Sequence, residues 1–401
     1  MLDIAFLVGK ESDVCKYTRR QRKIPKWLKE GSGDFMEFVN DDGSIPSDVG
    51  IAMYILTHYD NCMITLYKPY NEDKITKKDL DQHDVVFVIY DPIEVFHCFL
   101  PGRKTCPKDR VQFEKVLKST KAFVCPPPAF HKYIIDKPRY YTTLKNAGLP
   151  VAPFFQQKAP SITTLKDATS FLDKIKKKGW KGAIVKPSYA GYSLGLKPFR
   201  SIHRTQPKTV LKYMKKLAKE GFQNLTVQEF IPSFSKHYEI RTYWILGKYA
   251  FSVGTLVGSV GSGQNDGSLP VDDEDTFESE GGSLDDKLLK KLKVIAKQVL
   301  QALDYFPYTQ PMLRIDFGCC LRSDSCDDTF FINEVETMAA NLLASETDYP
   351  VVEEMGKACY QFAKKVKGKK NRAPRKRKLS KKAIAKNKRL CVYNDTAYYE
   401  K

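Results

Sequence analysis

Short apolar runs alternate with amphipathic segments along most of the chain. "IAFLVG" (4–9) and "DVVFVIYDP" (84–92) are apolar, β-branched runs that each end at a turn signal, as buried strands of a parallel sheet do. "SITTLKDATSFLDKIKKKG" (161–179) has apolar residues at helical spacing between a serine or threonine cap and a glycine, which predicts an amphipathic helix. The N-terminal region is therefore predicted to be α/β.

The pattern predicts further strands and helices in the rest of the chain. Residues 123–155 read as a strand, a proline block and a helix that ends at Gly148. Residues 226–232 predict a strand, and residues 238–257 predict two strands that form a hairpin through Leu246, Gly247 and Lys248. The last two predictions are a helix over 285–306 and two strands joined by a polar hairpin over 312–343.

Composition limits the class of protein. With 401 residues and 42% hydrophobic residues, the chain can bury a core of two or three lobes. It has no apolar run of about 18 residues, which excludes a membrane span, and no signal-peptide pattern. Ten scattered cysteines without CxxC spacing are typical of reduced thiols. These features predict a cytoplasmic or nuclear protein that is neither secreted nor membrane-bound.

The net charge of +19 is concentrated near the C-terminus. Residues 364–389 contain 15 Lys or Arg and no acid, which leaves +4 for the rest of the chain. This basic tail is predicted to be disordered, and three interpretations remain open: a solubilising tail, a nuclear-import signal, or a contact with a polyanion such as nucleic acid. Residues 258–286 carry nine acidic and no basic residues, which predicts an acidic mobile loop.

A lysine directly precedes a loop of small residues in "GAIVKPSYAGYSLGL" (182–196). The apolar residues before Lys186 predict a buried strand, and the loop after it supplies serines and glycines. Backbone N–H groups of such a loop bind phosphate oxygens, and the lysine adds a positive charge. Because glycine-rich loops also occur in many ordinary turns, this motif alone leaves phosphate binding open.

Acidic residues near the C-terminal end form a second candidate site. Glu334 and Glu336 in "FFINEVE" lie two residues apart and so share one face of a strand. Asp316 lies on the preceding predicted strand and is expected to come opposite them. Three carboxylates on one surface favour a hard cation such as Mg²⁺. The alternative is a solvent-exposed sheet face, but Phe330 and Ile332, expected on the same face, favour a cleft.

The order of these motifs resembles the ATP-grasp superfamily, and is most similar to D-alanine:D-alanine ligase-like carboxylate-amine ligases. The resemblance covers about residues 1–365. The matching motifs, in chain order, are "DKPRYYTTLKNAGLPVAPF" (136–154), "IVKPSYAGYSLGL" (184–196), "QEFI" (228–231), "YEIR" (238–241), "RID" (314–316) and "NEVE" (333–336).

The resemblance implies an α/β chain, α+β in its nucleotide lobes, with the ATP-grasp fold. The implied divisions are a Rossmann-like preATP-grasp domain (1–125), a central lobe with a glycine-rich lid (126–235), a C-terminal lobe with a metal site (236–365) and the basic tail (366–401).

The resemblance also implies the site residues. Arg314 and Lys186 are the expected catalytic residues, with Arg314 stabilising an oxyanion. Glu239 is expected to hold the ribose hydroxyls, and Gln228 with the backbone after it to bind adenine. The expected ATP-binding residues are Lys137, Lys186, Ser188, Gly191, Ser193, Gly195, Gln228, Glu229, Phe230, Ile231 and Glu239. The expected ligands of Mg²⁺ or Mn²⁺ are Asp316, Glu334 and Glu336.

Several positions depart from the family pattern. Glu336 stands where the family has asparagine, and Ala190 and Tyr192 stand where D-Ala ligases tend to carry glutamate and serine. "ETMAANLL" lacks the proline-glycine turn that helps to bind the second substrate, and Asn341 is a candidate replacement for that contact. D-Ala:D-Ala synthesis itself is therefore not expected.

Three functions remain open from the sequence. The first is a ligase that joins a small-molecule or peptide carboxylate to an amine through an acylphosphate, with release of ADP and phosphate. The second is an ATP-grasp kinase of the inositol-phosphate type, with a basic acceptor pocket. Its candidate residues are Lys197, Arg200, Arg204 and Arg241. The third is a nucleotide-binding scaffold that the basic tail tethers to nucleic acid. The family also suggests an oligomer.

Overall fold

The computed structural model describes part of the chain. The described residues are 1–8, 14–17, 23–29, 38–67, 75–89, 114–188, 195–231, 238–256, 276–278, 286–304, 310–318, 330–338, 342–345 and 347–370. Most of the acidic loop, the basic tail beyond residue 370, Asn341 and the lid residues 189–194 lie outside them.

The described elements follow the predicted alternation. The strands are β1 (Leu2–Leu7), β2 (Val14–Lys16), β3 (Ser44–Pro46), β4 (Cys62–Tyr67), β5 (Val85–Val88), β6 (Phe123–Cys125), β7 (Phe154–Lys158), β8 (Ala183–Pro187), β9 (Lys197–Phe199), β10 (Asn224–Glu229), β11 (Tyr238–Ile245), β12 (Lys248–Leu256), β13 (Thr276–Glu278), β14 (Met312–Gly318) and β15 (Phe331–Thr337). The helices with complete bounds are α1 (Lys26–Lys29), α2 (Ser47–His58), α3 (Lys77–Leu80), α4 (Pro128–Ile135), α5 (Lys137–Asn146), α6 (Leu165–Lys176), α7 (Pro207–Lys219), α8 (Asp286–Ala302) and α9 (Val351–Lys370).

The N-terminal sheet is parallel, as the sequence predicts. Its strand order is β4-β1-β5-β6. Every residue of β5 is buried, because a parallel sheet is covered on both faces.

The central sheet has the order β7-β10-β8-β9 and is antiparallel. Helices α6 and α7 cover one face, where Phe171, Met214 and Val227 belong to a separate hydrophobic core. Helix α6 begins at the predicted cap, since the Thr164 side chain accepts a hydrogen bond from the Asp167 amide. It stops shortly before Gly179, which has a φ of 77°.

The C-terminal sheet is antiparallel in the order β13-β12-β11-β14-β15. The predicted hairpin is confirmed, with positive φ angles of 50° at Leu246 and 76° at Gly247. One face of this sheet packs against α4, α5 and α8, where Tyr140, Trp244 and Leu292 share a core.

The N-terminal sheet and the C-terminal elements share one large core. This core joins Phe6 and Phe87 of the first sheet to Phe251 of β12 and Phe362 of α9. We call these parts the body, together with α4 and α5. The central lobe (residues 154–231) has its own core, although the sequence-based division places residues 126–153 with it. No described helix is long and apolar enough to cross a membrane.

Candidate active site

The polar face of the central sheet carries the predicted phosphate lysine. In the strand register, Lys186 pairs with Thr226, and Ile184 pairs with Gln228. Because side chains alternate along a strand, these four residues lie on the face opposite the core residue Val185. The central lobe therefore presents Lys186 and Gln228 to the body.

Lys186 is buried against a tyrosine of the body. Its Nζ lies 3.3 Å from the Tyr141 hydroxyl and 5.7 Å from the centre of the Tyr141 ring. Burial lowers the pKa of Lys186 to about 8, although Glu334 nearby favours the charged form. A desolvated ammonium of this kind interacts more strongly with an anion than an exposed one does.

Lys137 is the first residue of α5 and reaches the same carboxylate from the body. Its Nζ forms an ion pair with Glu334, and its backbone N–H donates to the Ser188 carbonyl at 3.4 Å. The two predicted phosphate lysines thus lie in the same site although they are 49 residues apart in sequence, with Lys137 at Glu334 and Lys186 at Tyr141. Burial opposes the ionisation of Glu334, but Lys137 and Lys186 outweigh it and lower its pKa to about 2.

A β-bulge shapes the centre of the site. The pairing of β14 with β15 shifts between Asp316 and Phe317, which leaves Asn333 as an extra residue. Asn333 Nδ2 donates to Glu239 Oε1 at 2.5 Å, and the Tyr141 hydroxyl donates to the Asn333 carbonyl.

The bulge corrects one sequence-based expectation. Ile332 was predicted to share a face with Glu334, but it pairs with Phe317 and is buried in the core beneath the sheet. The extra residue at Asn333 reverses the alternation at that point. Asn333 and Tyr141 are therefore site residues that strand periodicity could not find.

The three predicted metal ligands lie on neighbouring strands. Asp316 pairs with Glu334, and Arg314 pairs with Glu336 in the register. Arg314 donates to both carboxylate oxygens of Asp316, each at 2.8 Å. Among the described residues, no group of three or more His, Cys, Asp or Glu is arranged to hold a metal ion. The oxygen donors suit Mg²⁺, but Asp316 and Glu334 each face a cationic side chain instead of a common point.

The predicted ribose residue is held in place on the same face. Arg241 donates to Glu239 Oε2 at 3.1 Å, and Asn333 holds the other oxygen. Arg241, a candidate for a basic acceptor pocket, is thus paired with an acid. Another candidate, Arg200, lies 5.7 Å above the Phe230 ring.

Gln228 has an unusual environment for the predicted adenine site. It is 2% exposed, and its Nε2 has no hydrogen-bond partner among the described residues. A buried donor without an acceptor is costly, so this amide is suited to a ligand acceptor. The N–H groups of Glu229 and Phe230 donate to the carbonyls of Pro153 and Gly182, at 2.8 and 3.1 Å.

The two ends of the predicted lid are anchored. Ser188 Oγ lies 3.2 Å from Thr226 Oγ1. Gly195 has a φ of 66°, and a side chain there would meet Pro187 and Leu217 at 2.9 and 3.0 Å. Gly191 and Ser193 lie outside the described residues.

Comparison with known proteins identifies the fold. No family model matches the sequence, and no curated protein matches it. D-cycloserine synthetase DcsG matches with a TM-score of 0.57 and 13% identity, over 91% of this chain and 99% of that one. D-alanine–D-alanine ligase from Bacillus anthracis complexed with ATP matches with a TM-score of 0.51 and 12% identity, over 92% and 100%. A RimK domain ATP-grasp protein from Sphaerobacter thermophilus matches with a TM-score of 0.51 and 9% identity, over 89% and 98%.

The chain has the ATP-grasp fold. This confirms the predicted fold class and its α/β architecture. The ATP-grasp neighbours extend over about nine-tenths of the chain, so the fold includes the N-terminal parallel sheet as well as the two lobes that form the candidate site. The roles of individual site residues stay predictions.

Proposed function

We propose that this ATP-grasp protein is an ATP-dependent carboxylate-amine ligase that works through an acylphosphate. The observation that carries the proposal is the approach of Lys137 and Lys186 from the two lobes: Lys137 forms an ion pair with Glu334, and Lys186 contacts Tyr141 on the helix that begins with Lys137. Two buried ammonium groups next to one carboxylate suit the phosphates of ATP. The similarity to a D-cycloserine synthetase and a D-Ala–D-Ala ligase supports ligase chemistry.

The remaining site residues fit the other parts of ATP. Gln228 Nε2 is a buried donor for an adenine acceptor, and Glu239 is oriented by Arg241 and Asn333 to accept from ribose hydroxyls. Asp316, Glu334 and Glu336 would hold Mg²⁺ or Mn²⁺ once the first two turn from their cationic partners. A bound ion would neutralise charge on the phosphate oxygens.

The proposed reaction has two steps. A substrate carboxylate oxygen bonds to the γ-phosphorus, the bond to the β–γ bridging oxygen breaks, and ADP leaves. An amine nitrogen then bonds to the acyl carbon, the carbon–oxygen bond to phosphate breaks, and the amine proton passes to solvent. Arg314 is the proposed donor to the intermediate oxyanion. The segment from Ser188 to Gly195 would exclude water from the acylphosphate.

The substrates differ from two D-alanines in this proposal. Ala190 and Tyr192 replace residues that D-Ala ligases tend to carry in the lid, and "ETMAANLL" lacks their proline-glycine turn. The proposed substrate class is therefore an amino-acid or peptide carboxylate with a different amine.

Oxygen-18 labelling tests this function directly. The full chain would be incubated with Mg-ATP, pooled amines and amino acids labelled with ¹⁸O in their carboxylates, and followed by phosphorus NMR. The mechanism transfers one carboxylate oxygen to phosphate, so we expect ADP and ¹⁸O-shifted inorganic phosphate.

Two variants make the labelling experiment decisive. Lys186→Ala should abolish pool-dependent ADP formation, while Lys181→Ala, an exposed lysine of the same lobe, should leave it intact. Phosphate retained on an acceptor would identify a kinase, unlabelled phosphate would exclude an acylphosphate, and ATP consumption no faster than in Lys186→Ala would contradict the ligase.

A further inference from the structure

Positive charge is concentrated on the central lobe as well as in the tail. Residues 154–231 contain 16 Lys or Arg and four Asp or Glu, a net charge of +12. Taking this +12 and the +15 of residues 364–389 from the total of +19 leaves −8 for the rest of the chain. The acidic loop of residues 258–286 accounts for −9 of this remainder, so the rest of the body is close to neutral and the central lobe is strongly basic.

Helix α7 arranges part of this charge in a line. Its sequence, "PKTVLKYMKKLAK", contains five lysines and no acid, and all five lysines are exposed. Four of them recur at helix spacings of four, three and four residues, which places them on one face over about 16 Å. We call these four the lysine stripe: Lys208, Lys212, Lys215 and Lys219.

The lysine stripe has no compensating acid within the described residues. The fifth lysine, Lys216, lies 3.8 Å from Glu220, but no ion pair between residues that the structure describes involves the stripe itself. Other carboxylates of the lobe are engaged elsewhere, since Asp167 accepts from Thr164 and Asp173 pairs with Lys176. Like charges at this spacing destabilise a helix by a few tenths of a kcal/mol per pair, which a bound polyanion would relieve.

The stripe lies on the outer side of the central lobe. Val210, Met214 and Leu217 of α7 pack into the core on one face of the sheet, whereas Lys186 occupies the opposite face. The nucleotide lysines and the stripe are thus separate groups, and the following inference does not depend on the proposed ligase activity.

We propose that the lysine stripe binds the phosphodiester backbone of double-stranded nucleic acid without reading its sequence. A duplex carries one negative charge per about 1.7 Å of axis, and lysines that replace its counterions gain affinity by releasing them. A line of basic residues along one helix is the expected footprint of such binding.

The composition of α7 favours backbone contact over base recognition. The helix contains no arginine, the residue that most often reads base edges. Its one aromatic residue, Tyr213, donates its hydroxyl to the Gly195 carbonyl at 2.5 Å and is held against the lobe. With no exposed ring on α7 for a base to stack on, a single strand gains less from this surface than a duplex does.

The salt dependence of binding tests the proposal. The probe is a fluorescein-labelled 20-base-pair duplex of arbitrary sequence, and the readout is fluorescence anisotropy across sodium chloride concentrations. In the full chain, glutamine replaces the four stripe lysines, since glutamine and lysine have similar helix propensities. Each lost phosphate contact reduces the slope of log affinity against log salt by about 0.9, so we expect a reduction of about 3 to 4.

A matched control separates location from net charge. Helix α8 also carries lysines, and the control variant replaces four of them with glutamine: the exposed Lys287, Lys290 and Lys297, and the half-buried Lys291. Both variants keep the basic tail and have the same net charge. We expect the α8 variant to retain the wild-type slope.

Three results would overturn the proposal. The stripe variant could keep the wild-type slope, or the stripe and α8 variants could show equal reductions in slope. The wild-type chain could also bind poly-glutamate more tightly than the duplex in a stripe-dependent way, which would indicate an acidic polypeptide partner. Circular dichroism checks that the helices are retained. If the quadruple variant unfolds, the Lys208→Gln/Lys215→Gln and Lys212→Gln/Lys219→Gln pairs replace it, with half the expected change each.

Discussion

The central lobe and the body are built on different principles. The central lobe packs its own core between one sheet and helices α6 and α7, all from a single stretch of the chain. The body joins elements from both ends of the chain, so that Phe87 and Phe362 contact one another across 275 residues of sequence. The lobe is a local unit, whereas the body depends on long-range contacts.

The candidate site lies where these two units meet. The central lobe contributes Lys186 and Gln228, whose Nε2 has no partner among the described residues, and the body contributes Lys137 and the three predicted metal ligands. The contacts that cross between them include those of Lys137 with Ser188, of Lys186 with Tyr141 and of Tyr141 with Phe154. Each unit has its own core, and Phe154 at the start of the central lobe also packs against the core of the body.

Truncation of the two cores should give the largest effect. Phe362→Ala in the body and Phe171→Ala in the central lobe should each lower the free energy of unfolding by about 3–5 kcal/mol. Hydrogen exchange should accelerate in β1, β5 and β14 for the first variant, but in β8 and β10 for the second. Faster exchange in the same strands for both variants would show that the two cores do not unfold separately.

Removal of the charge of Glu334 should separate its neutralisation of the two lysines from its proposed role as a metal ligand. In Glu334→Gln the lysines lose the anion that neutralises them, so ATP without metal should bind about tenfold more tightly, equivalent to about 1.4 kcal/mol. Binding measured by calorimetry in EDTA should show this gain, and Mg²⁺ should improve binding less than in the wild type. The control is Glu353→Gln, a carboxylate of α9 that accepts from Tyr17 away from the site. Weaker metal-free binding in Glu334→Gln would contradict the arrangement.

Loss of the Tyr141 hydroxyl should have a smaller effect on the same site. Tyr141→Phe removes the donor to Asn333 and the contact with Lys186, worth about 1 kcal/mol, so ATP affinity should fall about fivefold. Tyr133→Phe is the matched control, because its hydroxyl donates to Thr143 on the same helix pair. Equal losses of ATP affinity in the two variants would contradict a role for Tyr141 in the site.

The smallest predicted effect is a change in the pKa of Asp167, which lies in the first turn of α6 in the central lobe. Hydrogen bonds from Thr164 and Thr163 lower the pKa of Asp167 to about 2. The stability that this lowered pKa provides is complete above the unfolded value of about 3.9 and is lost as pH falls towards 2. Thr164→Ala should raise the pKa of Asp167 towards about 3.9, as an NMR titration would show. An unchanged value would mean that the cap does not hold this carboxylate.

Local sequence patterns predicted most of the elements but not how they pack. The buried strands, the Thr164 cap and the Leu246–Gly247 hairpin are set by neighbouring residues, and the structure confirms them. The packing of α4 and α5 on the C-terminal sheet depends on contacts with residues far along the chain. Periodicity carries no information about such contacts.

The candidate site was also predicted only in part, because the positions of some of its residues depend on long-range contacts. Motif order predicted Lys137, Lys186 and Glu334, and in the structure Lys137 contacts Glu334 while Lys186 contacts Tyr141 of the same helix as Lys137. The bulge at Asn333 was missed because it arises from the register between β14 and β15, and one extra residue changes the face that every later side chain occupies. The role of Tyr141 was missed because its partners come from β8 and β15.

Hydrogen exchange with and without Mg-ATP tests the central claim, that the nucleotide binds between the two units. We expect added Mg-ATP to slow exchange both in β8 and β10 of the central lobe and in β14 and β15 of the body, and we expect Lys186→Ala to abolish both changes. Protection confined to one unit, or equal protection in Lys186→Ala, would contradict this claim.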